Sequence, residues 1–241
     1  MVGRRGDRVG AVTALQAGRA AFDAVGDQFG VGRCEYALAR AALQATDPAG
    51  ARVALGHARR ALAVAGARAA MAACDNLMGD IRLVEGDLMG AERDYRNALR
   101  VWDSLGAGNA SYARLNLGIT LAEARRYDEA RPQLADALLR FDRQRMFPLA
   151  ALARACLMAA AAAQSKWDDF DAHVAEVRAE LDMDHGLDEQ AATLFARAAG
   201  EASVSGDVER AAIAQGLADR IRLQLAQAER RLGEGSGADE A

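Results

Sequence analysis

Lysine is nearly missing from this 241-residue chain: Lys166 is the only one, and arginine supplies the rest of the positive charge. That bias fits a GC-rich genome better than a binding site. The net charge is −4, with acids and bases interspersed. No basic stripe is left to track a phosphate backbone, so nucleic acid is not an expected partner. Proline occurs three times and aromatics make up 5% of the residues, which argues against Pro-rich linkers and for long helices. The apolar share of 51% is carried by Ala and Leu, the composition of closely packed helices rather than sheets. No uncharged apolar run reaches the roughly 18 residues of a membrane span. Arg4 and Arg5 precede a polar, Gly-interrupted stretch instead of a signal-peptide core. A bacterial, cytoplasmic protein is expected.

Catalytic equipment is equally sparse. His57, His173 and His185 are scattered without H-E-x-x-H spacing, and no serine sits in a G-x-S-x-G turn. The lone lysine, between Ser165 and Trp167, cannot belong to a G-x-x-x-x-G-K-[ST] phosphate loop. No catalytic centre, cofactor or metal is expected. Two acidic clusters have residue types that could hold a cation: Asp168, Asp169, Asp171 and His173, then Asp182, Asp184, His185, Asp188 and Glu189. The second breaks the calcium-loop pattern at Gly186, and acids at helix starts interacting with the macrodipole account for most of both. Cys34 and Cys74 lie 40 residues apart. Equivalent repeat helices stack about 10 Å apart, beyond the roughly 7 Å reach of a disulfide, so these two and Cys156 read as reduced core residues.

What the chain does have is a register. Ala11, Ala51, Ala91, Ala130, Phe170 and Ala211 are separated by 40, 40, 39, 40 and 41 residues. Twelve residues before the last five stand Ala39, Gly79, Gly118, Met158 and Ala199. Seven residues after all six stand Gly18, Ala58, Ala98, Ala137, Val177 and Ala218. Such a period marks a helical repeat whose units bury their apolar faces against one another. The small residues have a steric reason: antiparallel helices approach to about 8 Å only where the crossing side chains are small. Met158, Phe170 and Val177 enlarge together, opposite Ala159 to Ala163, which predicts a compensated repacking. Each repeat reads as two helices. In one, Leu77, Met78, Ile81 and Val84 lead to a turn at Gly86-Asp87, and Leu88, Ala91, Tyr95, Ala98, Leu99 and Trp102 follow. Turns are predicted likewise at Gly6-Asp7, Thr46-Asp47 and Gly206-Asp207, and an aromatic with an Asp cap at Tyr127-Asp128 and Trp167-Asp168.

The set Leu117-Gly118, Tyr127-Asp128-Glu129-Ala130, Leu134 and Ala137, with Met78-Gly79, Ala91, Tyr95 and Ala98, resembles the tetratricopeptide repeat. The likeness covers residues 6 to 225. It departs in a unit near 40 residues rather than 34, and in lacking the Pro that closes the second helix. These long repeats resemble those appended to bacterial Ser/Thr kinases and to maltose-activator-type regulators. The expected fold is an all-α, right-handed solenoid of about five and a half repeats spanning 6–232. Its units lie near 6–26, 30–66, 68–106, 109–146, 148–184 and 187–232, with 233–241 a disordered polar tail. The chain opens in mid-repeat. That is expected of a piece of a longer protein, or of an end helix (residues 8–25) whose Val12, Leu15 and Phe22 are covered by something else, including a second copy.

The resemblance implies a concave groove lined by the first helix of each repeat. Arg33, Tyr36, Arg40, Asn76, Asp80, Tyr112, Asn116 and Glu123 would line it. Asn116 is the most pointed, because an amide can bond a peptide backbone as donor and acceptor. The family's Lys/Asn clamp for a C-terminal carboxylate is not recognisable. Leu152, Ala155, Ala159 and Ala163 form an apolar strip that would either receive a hydrophobic segment or be buried by the repeat's own curvature. The functional expectation is a non-catalytic scaffold for a peptide or helical segment of a partner protein. The alternative is a sensor or autoinhibitory arm of a kinase or ATP-dependent transcriptional activator.

Overall fold

The computed structural model describes residues 2–183 and 186–236, with side chains from 8 to 230 outside that gap. Among the described residues there are eleven helices and no strand. They are α1 (Val2–Ala24), α2 (Gln28–Gln44), α3 (Pro48–Val64), α4 (Arg68–Val84), α5 (Leu88–Ser104), α6 (Ala110–Glu123), α7 (Tyr127–Arg143), α8 (Phe147–Ala163), α9 (Trp167–Asp182), α10 (Glu189–Val204) and α11 (Val208–Ser236). The fold is all-α, a tetratricopeptide-like succession of antiparallel helix hairpins. Contacts divide it into two units, Met1–Leu117 and Gly118–Ala241, described separately below.

One joint recurs throughout. Residues 26, 46, 66, 86, 106, 125, 145, 165, 186 and 206 all take positive φ, between 53° and 86°. At most of them the next residue's N–H reaches the carbonyl five positions back, as in Asp47 to Ala42 at 3.0 Å and Lys166 to Ala161 at 2.9 Å. This left-handed closure satisfies the orphan carbonyls of one helix, and at most joints the residue after it is the N-cap of the next. Asp27, Asp47 and Asp87 then accept from the amides of Gly30, Gly50 and Gly90 at 2.9, 2.8 and 2.9 Å. The joint therefore repeats about every twenty residues, both within hairpins and between them.

Three local expectations need correction. Gly6-Asp7 lies inside α1 instead of turning the chain: glycine permits a left-handed residue but does not impose one, and it costs only about 1 kcal/mol inside a helix. Asp128 and Asp168 are not caps. Arg126 and Lys166 occupy the N-cap positions without side-chain bonds, and the two acids fall in the first turn, where the helix dipole favours them. The last helix, expected to end near Leu232, continues through Ser236; residues 237–241 of the expected tail lie outside the described residues.

In the first unit α2 packs on α3 and α4 on α5, while α1 packs on α2. Ala39, Ala51, Ala58, Ala91 and Ala98 are fully buried, as their small-residue register requires. On α1, Val9 and Phe22 remain exposed. In the second unit α8 packs against α7, α9 and α10, so that every residue from Ala150 to Ala162 is buried. Met158, Phe170 and Val177 are fully buried among them. The strip Leu152, Ala155 and Ala159 is thus interior, and only Ala163 of that set is exposed. Cys34, Cys74 and Cys156 are buried and unpaired.

Candidate functional site

In the first unit, polar side chains from alternate helices converge on Asp80. Asn76 and Asp80 are four residues apart on α4 and so share one face. Asp80 Oδ1 accepts the Tyr95 hydroxyl at 2.8 Å from α5 and the Asn116 side-chain amide at 3.0 Å from α6. Burial pushes the Asp80 carboxyl up to about 6, against the lowering effects of the Tyr95 hydrogen bond and the Arg40 charge. Arg40, exposed on α2, acts through space and forms no ion pair with it. Burial also raises the Tyr36 phenol, with Arg40 opposing and Asp80 and Cys74 reinforcing the shift. The Cys74 thiol is pushed to about 12 by burial, which disfavours the thiolate.

Two acceptors in this cluster lack donors. Asn76 Oδ1 is buried without a hydrogen-bond partner. Asp80 receives both of its hydrogen bonds on Oδ1, and among the described residues no donor reaches Oδ2.

Of the eight residues expected to line a groove, five meet here: Tyr36, Arg40, Asn76, Asp80 and Asn116. Arg33 lies a turn or more away on α2, its guanidinium 5.9 Å from the centre of the Phe29 ring. Tyr112 is exposed one turn before Asn116. Glu123 belongs to the second unit, where it pairs with Arg197 at 3.4 Å. In the sequence Tyr95 has only the spacing of a core residue. Its ring is core, fully buried, but its hydroxyl completes the site. The ring lies over Gly79, next to Asp80.

The second unit holds a charged cluster of another kind. Arg154, 5% exposed on the otherwise apolar α8, bonds Glu180 at 2.8 Å and Asp142 at 2.9 Å. Burial drives the Glu180 carboxyl up to about 7, although Arg154 opposes the shift. His173 is lowered by burial and then by Arg154. It lines a cleft of about 490 Å³ with Arg131, Pro132, Leu138, Leu139 and Asp169. Most acids of the two clusters have partners of their own, and Asp168 stands in the first turn of α9. Asp169 pairs with Arg131 at 2.8 Å, and Asp171 bonds Arg210, whose guanidinium covers the Trp167 ring at 5.2 Å. Asp182 pairs with Arg220 and Glu189 with Arg222, at 2.7 and 3.0 Å, and Asp188 caps α10. Asp184 and His185 lie outside the described residues. Among the described residues no three His, Cys, Asp or Glu side chains group to hold a metal ion, and no helix is long and apolar enough to cross a membrane.

No protein-family model matches the chain, and no curated protein matches its sequence. Solved structures do match its shape. BtubC (BKLC) from P. vanneervenii superposes with a TM-score of 0.66 at 15% identity, over 92% of this chain and 90% of that one. A Rap protein complexed with Competence and Sporulation Factor gives 0.65 at 14% identity, over 90% of this chain and 59% of its own. A Signal Transduction ATPase with Numerous Domains from Pyrococcus horikoshii, carrying a tetratricopeptide repeat sensor, gives 0.58 at 16%, over 85% and 38%. The class they define is the tetratricopeptide-like helical repeat. The chain spans a little over half of the Rap protein and well under half of the ATPase.

Proposed function

We propose that this chain is a non-catalytic interaction module whose first unit takes a peptide or helical segment of a partner protein along α2, α4 and α6. The observation that carries this reading is the Asp80 cluster. Tyr36, Arg40, Asn76 and Asn116 from three successive first helices, with Tyr95 from α5, surround the partly buried carboxylate of Asp80, a costly arrangement that the packing of the core does not require. The cluster offers hydrogen-bond acceptors and no activated nucleophile, which suits recognition better than chemistry. The Rap protein similar in fold is complexed with a Competence and Sporulation Factor, and the ATPase uses its repeats as a sensor. Both roles are compatible with a segment-binding face. The sensor role supports a second reading, in which the module regulates a larger cytoplasmic signalling protein. The test is selection of peptides on the folded chain, followed by binding to Tyr112→Ala/Asn116→Ala. The double variant is expected to lose at least tenfold in affinity while keeping its helical circular dichroism; unchanged affinity sinks the assignment.

A further inference from the structure

Resting on that reading, we infer that the Asp80 cluster is a subsite for a cationic side chain, an arginine before a lysine, presented by the bound segment. The inference comes from a count of donors and acceptors. Tyr95 and Asn116 both donate to the same oxygen of Asp80, at 2.8 and 3.0 Å. Oδ2 keeps its full accepting capacity and Asp80 keeps part of its surface open to solvent. One helical turn earlier, Asn76 Oδ1 is buried with no donor at all. Positions four apart on a helix have Cβ atoms about 5–6 Å apart, a span that a planar guanidinium with five N–H groups can bridge.

Charge points the same way. Asp80 forms no ion pair, whereas the comparable carboxylates around it do. Asp75 pairs with Arg59, and Asp94 with Arg82. Asp80 has only Arg40, which acts through space. A carboxylate removed from water without a countercharge is unfavourable until something supplies one. A cation from outside does so at the oxygen the protein leaves unclaimed, and the hydrogen bond it forms is charge-assisted. Tyr95 and Asn116 fix the orientation of Asp80 before the ligand arrives, which limits the ordering cost of binding.

The experiment is display selection of a random peptide library on wild-type chain and on Asp80→Asn, both verified as folded by cooperative melting. The expected result is a wild-type consensus with Arg or Lys at one fixed position. Replacing that residue by citrulline or norleucine should weaken binding about tenfold or more, and Asp80→Asn should bind the Arg and citrulline peptides alike. An Asn76→Leu variant should lose the preference for Arg over Lys. A consensus lacking a cation overturns the inference and leaves the segment-binding reading standing, and an acidic consensus moves the ligand contact to Arg33 and Arg40. Equal binding of the Arg peptide to wild type and Asp80→Asn also overturns it. Failure to select any peptide overturns both.

Discussion

The ring of Tyr95 occupies the space that a methyl group on Gly79 would need, with Cε1 2.5 Å from where that Cβ would stand. The close approach brings α5 against α4 and lets the Tyr95 hydroxyl reach Asp80, the residue next to Gly79. One small residue thus serves both the hairpin and the site.

Gly79→Ala is therefore expected to destabilise the chain despite alanine's better helix propensity. Overpacking a fully buried ring costs about 1–3 kcal/mol, against a gain of about 0.5–1 kcal/mol from replacing a helical glycine. Urea denaturation measures the balance. An unchanged or higher midpoint would show that the hairpin opens without penalty.

Asp80 should make stability depend on pH in an unusual direction. Its folded value of about 6 lies above the roughly 3.9 of an unfolded aspartate. Between those values the folded chain holds more protons, so this group's contribution falls as pH rises from about 4 to about 6, and the loss is complete above that. Asp80→Asn removes the titration. It should gain on wild type across that window, reaching about 1–3 kcal/mol at neutral pH. Melting curves of both proteins at several pH values decide it, and a difference independent of pH would refute the assignment. Together with the binding subsite, the expectation is a residue whose charge helps recognition and harms stability.

Arg154 presents the opposite case, a buried cation already matched. Arg154→Met leaves Glu180 buried without its partner and should cost about 3–5 kcal/mol, whereas Arg154→Met/Glu180→Leu should recover most of that loss. A double-mutant cycle from chemical denaturation reads the coupling. Additive single effects would mean the two side chains do not act as a pair.

Thr46, a β-branched residue, sits at φ 58° in one of the left-handed joints. Thr46→Gly should stabilise by about 1 kcal/mol, and Gly86→Ala, at the equivalent joint with φ 80°, should destabilise by about as much. Thermal melts of the two variants should shift in opposite directions. Shifts of the same sign would show that the joints are not conformationally equivalent.

The small-residue register was legible because its cause is local and steric: Ala39, Ala51, Ala58, Gly79 and Ala91 each stand where two backbones must approach. The joints were legible only where glycine marks them or where Asp follows, as at Gly86-Asp87. Arg145 adopts the same backbone at φ 55° with no residue-type signal, whereas Gly26, Gly66, Gly106 and Gly186 mark the other joints between hairpins. Asn116, Asp80 and Tyr36 could be placed on one inner surface through the resemblance to tetratricopeptide repeats, whose first helices line it. The hydroxyl of Tyr95 could not, because a side chain that fills a core by its ring gives no sequence sign of where its polar end lands. The fate of the alanine strip on α8 was equally out of reach, since it depends on α10, some forty residues further along the chain.

Nine of the seventeen residues of α8 are alanine, and the helix is buried from Ala150 to Ala162. Alanine has no rotamers to surrender on folding, so the segment is ordered at the cost of its backbone alone. Its neighbours close in to methyl-group distance, and a larger side chain at most of these positions would have no room. The plainest stretch of the chain is for that reason the one with the least freedom to drift in sequence.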